Sequence, residues 1–178
     1  MEYLDVLNEW GEFTGKTETR EKCHELGLWH RAVYGFAFNK NGDVLLQKRS
    51  TNKKQWPNLW DVTAGGHVLA GEFGVQAIIR EIKEELNIDV NEDEVKYLVC
   101  STSSGKKGNI INNHFNEAFI INKDIDISQI RLQKEEVSDI KWFTKQEILD
   151  RINNNYEGIT EKTGPWNFLK KYYEMLEK

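Results

Sequence analysis

The stretch "REIKEEL", residues 80 to 86, holds Arg80 and three carboxylates, Glu81, Glu84 and Glu85. Their spacing of i, i+3 and i+4 brings the carboxylates onto one face of a helix. Like charges so placed destabilise a helix by roughly 0.2–0.5 kcal/mol per pair, and Lys83 projects from a different side. Two readings account for the crowding. One is a solvated helix face with no further role. The other is a hard-cation site, because Mg²⁺ takes oxygen ligands and is usually held by carboxylates with substrate phosphates and water.

The helix that must carry these groups is predicted over residues 73–86. Val75, Ile78, Ile79, Ile82 and Leu86 fall within an arc of roughly 100°, with the glutamates along its edge. Before it, "YLDVLNEWGEFTGKTETREKCHELGLW" reads as a short strand, a turn at 9–15 and a short helix ending near Gly27. "HRAVYGFAFNKNGDVLLQKRS" alternates like a hairpin, with "NKNGD" as its turn and 44–48 as the return strand. "LWDVTAGGHV" is a further short strand entering a Gly-rich bend. Strands are expected at 95–102, 113–121 and 139–144, and helices at 145–152 and 166–176. Strands outnumber helices without strict alternation, which predicts an α+β fold with a mixed sheet.

Gly66, five residues, Glu72, seven residues, then Arg80-Glu81-Ile82-Lys83-Glu84-Glu85 and Ile88 resemble the signature of the Nudix hydrolases. That signature runs G-x5-E-x7-R-E-U-x-E-E-x-G-U, with U aliphatic. At ~7% per position, six coincident Gly, Glu and Arg matches have a chance of about 10⁻⁷. Asn87 replaces the final Gly, and Asn is the side chain that best tolerates a left-handed helix end. The resemblance implies an α/β/α sandwich with a loop–helix–loop catalytic unit and Mg²⁺- or Mn²⁺-dependent hydrolysis of a diphosphate linked to another group. It implies Glu81, Glu84 and Glu85 as metal ligands, Arg80 as the group that orients them, and Glu72 as support from the loop. Gly65 and Gly66 would let the backbone approach the metal. A general base is expected in the box or among Glu117, Glu135 and Glu136.

A longer resemblance runs from "GLWHRAVYGFAFNKNGDVLLQKRSTNKKQWPNLWD", residues 27–61, through "GGHV" to "GPWNF", residues 164–168. It points to the branch of the superfamily that contains isopentenyl-diphosphate isomerase, which uses a Cys, a Glu and a metal held by three His and two Glu. His24, His30 and His67 match the three histidines, and Glu117 matches one glutamate. The other glutamate falls on Phe115 and the cysteine on Gly65, which cannot transfer a proton. Cys23 and Cys100 lie in other segments. The expected chemistry is therefore hydrolysis by water attack on phosphorus, with isomerisation as the alternative and a silent binding domain as a third reading. Silence would be expected to erode the carboxylates, and all are present. His30 and His67 are expected as hydrogen-bonded structural or pocket residues, with His24, His30 and His67 as a vestigial metal site the competing reading. His114 is expected to be structural. In "QKRSTNKK", Lys48 and Arg49 are expected to bind the substrate's phosphates, Arg through bidentate bonds. Trp56 and Trp60 are expected to pack the sheet.

Bulk properties agree. The chain has 178 residues and a formal net charge of −5, with 39% hydrophobic and 30% charged residues, so binding of nucleic-acid polymers through a basic surface is not expected. The two cysteines form no CxxC pair, the acidic N-terminus is unlike a secretory signal, and no run approaches a membrane span. These features predict one domain over 1–178, with an extension over 1–30, the box over 66–88 and C-terminal helices over 145–178. A cytoplasmic enzyme acting on a small-molecule diphosphate is expected, and a homodimer if it self-associates.

Overall fold

In "HRAVYGFA" both faces of the segment are apolar, as in a strand covered on both sides. The computed structural model describes residues 1–177, and this segment is its central strand, β3 (His30–Ala37), with only Arg31 and Tyr34 partly exposed. β3 pairs antiparallel with β6 (Ala64–His67) and parallel with β8 (Ile110–Ile121), which forms a long antiparallel hairpin with β7 (Val95–Lys107). The resulting mixed sheet has the order β6-β3-β8-β7. β4 (Val44–Arg49), β5 (Trp60–Asp61) and β9 (Val137–Phe143) make an antiparallel sheet of order β5-β4-β9. β1 (Tyr3–Leu7) and β2 (Phe13–Thr19) pair separately at the N-terminus.

Alternation along the strands feeds two cores. Val33, Ala37, Phe119 and Ile121 pack with Ala77, Ile78 and Ile82 of α2 (Gly74–Leu86). Phe36 and Ile120 face the other way, toward Trp166, Leu169 and Tyr173 of α4 (Thr163–Leu176), with Ile148 and Ile152 of α3 (Lys145–Asn153) in the same cluster. Full burial of a side chain such as Ile78 or Ile82 contributes roughly 1.5–3 kcal/mol. These layers of helix, sheet and helix are the expected sandwich. The remaining helix, α1 (Arg20–Leu26), is capped by Thr19, whose side chain accepts from the Lys22 amide, and ends at left-handed Gly27.

Two expectations need correction. The turn at "NKNGD" forms, with the Asn39 amide donating to the Asp43 carbonyl, but β3 and β4 separate beyond it into different sheets. The turn predicted over 9–15 gives way at Phe13 to β2, whose exposed, polar "FTGKTET" gives no alternating apolar signal. Asn87 ends α2 at φ 54° and ψ 36°, with its amide donating to Lys83 O, so the departure from Gly keeps the left-handed cap.

Candidate active site

Arg80 is the hub of the box. Its Nε and Nη2 donate to both carboxylate oxygens of Glu72 at 3.0 Å, a bidentate pairing. Nη1 donates to Glu81 Oε1 at 2.8 Å and Glu84 Oε2 at 3.4 Å, and Nη2 also reaches the carbonyl of His67 at 2.9 Å. One planar guanidinium thus ties the loop after β6 to two glutamates of α2. Burial works against its charge, but the bonds to Glu72 and Glu81 hold its pKa above the ordinary value. Glu72 also closes its own loop, its Oε2 accepting from the Leu69 amide at 2.9 Å.

Glu85 is buried, 7% exposed, while Glu84 faces solvent. Glu85 Oε2 accepts from Gln47 Nε2 at 3.0 Å and from the Gly65 amide at 3.3 Å. Burial and then the charge of Glu81 push its carboxyl up to about 8, and those two hydrogen bonds only partly offset the shift. Glu81 is likewise raised, by burial first, with Arg80 opposing. The Gly-rich segment expected as a bend is strand β6; a Cβ at Gly65 would lie 2.7 Å from the backbone oxygen of Val33, and one at Gly66 would displace the Glu81 carboxylate. The negative charge on these carboxylates is incompletely compensated and its oxygens are hard donors. The donor set fits Mg²⁺ or Mn²⁺, with Glu81, Glu84 and Glu85 as the groups that would hold it. Gln47 was missed from sequence; the only signal was a polar residue inside the apolar run "VLLQ".

Other predicted residues are placed differently. Arg49 is committed elsewhere: Nη1 pairs with buried Asp61 at 3.1 Å, and Nε donates to Gln55 O at 3.1 Å. Lys162 also pairs with Asp61, at 2.7 Å. Lys48 lies over the Trp60 ring at 5.9 Å and makes no ion pair among the described residues. Glu117 does not join the box carboxylates. Its side chain abuts Gly74 in the first turn of α2, about 10 Å along the helix from Glu81. Glu135 and Glu136 stand in a segment pinned to the end of α2, where the Gln133 amide donates to Glu85 O at 3.0 Å. Glu136 is paired with Lys53, whereas Glu135 is exposed. Trp60 packs edge-on against Phe143, and Trp56 lies beneath the ammonium groups of Lys107 and Lys162.

The histidines are brought together. His24 on α1, His30 on β3, His67 on β6 and His114 on β8 place one ring nitrogen each within 4.8 Å of the others. His30 is opposite His114 in register, and Ala32 is opposite His67, so the three strand histidines share a face. The same register turns Phe115 and Glu117, the positions matched to the isomerase glutamates, to the opposite face. His114 and Asn116 occupy the histidine side instead. His114, expected to be structural, is thus a full member of the group. Burial lowers the pKa of all four, His30 to about 4 and His114 to about 3. Of the cysteines, Cys23 is buried beside Leu4 and Val6, and Cys100 is exposed on β7. Neither occupies the place of Gly65.

A layered mixed sheet carrying an Arg-organised carboxylate helix is the arrangement that the hydrolase signature implied. The sequence matches the NUDIX domain over residues 28–163. It is 36% identical to a Nudix hydrolase of Listeria monocytogenes, across 98% of this chain and 95% of that one. It is 27% identical to the isopentenyl-diphosphate Delta-isomerase of Escherichia coli, across 85% and 82%. The fold matches a crystal structure from Deinococcus radiodurans with a TM-score of 0.70 at 25% identity, covering 96% and 98%. The chain belongs to the Nudix hydrolase family and is an enzyme of that family. The named hydrolase is nearer in sequence than the isomerase.

Proposed function

We propose that the enzyme hydrolyses the diphosphate bond of a small molecule, a nucleoside diphosphate linked to another group, with Mg²⁺ or Mn²⁺ held by Glu81, Glu84 and Glu85. The observation that carries this reading is the Arg80 network, which binds Glu72, Glu81 and Glu84 at once beside buried Glu85. When bound, the cation supplies charge neutralisation at the bridging and leaving oxygens and a nucleophilic hydroxide near neutral pH. The chain's own groups do the positioning. Arg80 fixes the glutamates, Gln47 and the Gly65 amide aim Glu85, and glycine at 66 leaves room for Glu81. We assign Lys48 to a substrate phosphate on the Trp60 face of β4, opposite the face from which Gln47 reaches Glu85, while Arg49 serves Asp61. The general base is assigned to a box glutamate or to exposed Glu135, since Glu136 is paired with Lys53 and Glu117 abuts Gly74. The isomerase reading lacks its cysteine at Gly65, and its second glutamate position, Phe115, faces away from the histidines.

Described helices include none long and apolar enough to cross a membrane, which is compatible with a cytoplasmic enzyme. The test is Mg²⁺-dependent phosphate release from nucleoside di- and triphosphates, ADP-ribose, NADH and coenzyme A. Glu84→Gln and Glu85→Gln are each expected to lower turnover on the order of a hundredfold or more. Full activity in both would overturn the reading.

A further inference from the structure

The four histidines are unexplained by the carboxylate chemistry. Nε2 of His30, His67 and His114 is shut from solvent and has no hydrogen-bond partner. Buried polar atoms normally find one, and three orphaned nitrogens converging from three adjacent strands need a common cause. His30 adds a directional clue. Its Nδ1 lies 2.8 Å from the carbonyl of Leu28, and a carbonyl only accepts, so the proton sits on Nδ1 and the lone pair of Nε2 points into the group. This is the arrangement of a metal-ligating imidazole, whose other nitrogen is held by a carbonyl.

We propose that His24, His30, His67 and His114 form a second metal site, an all-imidazole site for a transition ion of the Zn²⁺ type. Four neutral nitrogen donors suit zinc, cobalt, nickel or copper and do not suit Mg²⁺ or Ca²⁺. A tetrahedral ion with Zn–N near 2.0–2.1 Å needs donors about 3.4 Å apart. Donors already within 4.8 Å of one another reach that by small ring rotations. The set differs from the three His and two Glu implied by the isomerase resemblance, because strand alternation removes Glu117 and supplies His114. The ion fastens α1, through His24, to three strands of the sheet. It also stands one residue from the carboxylate site, since the carbonyl of His67 accepts from Arg80 while its ring faces the other histidines. The site does not depend on the proposed hydrolysis.

The experiment uses tag-free, full-length protein stripped by chelator and titrated with Co²⁺ and with Zn²⁺. One equivalent of Co²⁺ is expected to give the visible d–d bands of a tetrahedral nitrogen site, and one of Zn²⁺ to raise the melting temperature. Both responses should persist in Glu84→Gln and Glu85→Gln. His114→Gln should weaken Zn²⁺ binding by at least about tenfold. His24→Gln, which changes only the half-buried helix ligand, should do the same with an unchanged metal-free circular dichroism spectrum. Absence of the cobalt bands in the wild type would overturn the proposal, as would bands lost in Glu85→Gln but kept in both histidine variants.

Discussion

At Glu85 a carboxylate sits where burial opposes its charge, and that cost is relieved by a proton or by a bound cation. The substitution Glu85→Gln keeps acceptor geometry for Gln47 and the Gly65 amide while removing that charge. It is therefore expected to abolish metal-dependent turnover and to raise the metal-free melting temperature at pH 8 by several degrees, read by calorimetry. Gly66→Ala tests the neighbouring constraint. Its Cβ would drive the Glu81 carboxylate from Arg80, so activity should fall by about tenfold or more with circular dichroism unchanged. Much of this site is legible in sequence, because Arg80, Glu81, Glu84 and Glu85 are near neighbours on one helix. The partners are not. Gln47 meets Glu85 across 38 positions, and Arg49 looked available until folding brought Asp61 beside it.

The elements behave according to their local signals, while their partners depend on the whole sheet. α2 is readable from its aliphatic arc and its ending at Asn87. Asn87→Ala is expected to cost about 1 kcal/mol, a fall of roughly 2–4 °C, because Ala strains the left-handed cap. Asn87→Gly should cost nothing measurable in the same thermal scan. Strand pairing is less legible. Period-2 alternation identifies β3 and β4 as strands, but it does not state that they part into different sheets after a well-formed turn. β2 is polar and exposed and so carries no apolar signal, and its pairing with β1 makes it a strand. Alternation also decides the fate of Glu117. The motif match gave its place along the chain, and the register with β3 gave its face.

Across the whole molecule, burial of one acid predicts an unusual pH response. Glu85 has a folded pKa near 8, above the ordinary carboxylate value of about 4.5. Between those values the folded state binds more protons than the unfolded one, so this contribution favours folding at low pH and is lost as pH rises through 8. The metal-free enzyme should therefore lose from this group on the order of a few kcal/mol between about pH 5 and pH 8, and Glu85→Gln should flatten the profile in chemical denaturation. Mg²⁺ should stabilise more at pH 8 than at pH 5, because it competes with that proton. The most direct test of the central claim is ³¹P NMR of turnover in ¹⁸O-enriched water, with isopentenyl diphosphate included among the nucleotide substrates. The account predicts ¹⁸O in a phosphate-containing product, dependent on Mg²⁺ and absent with Glu85→Gln. Isomerisation of isopentenyl diphosphate without phosphate release, and no labelled phosphate from any nucleotide, would contradict it.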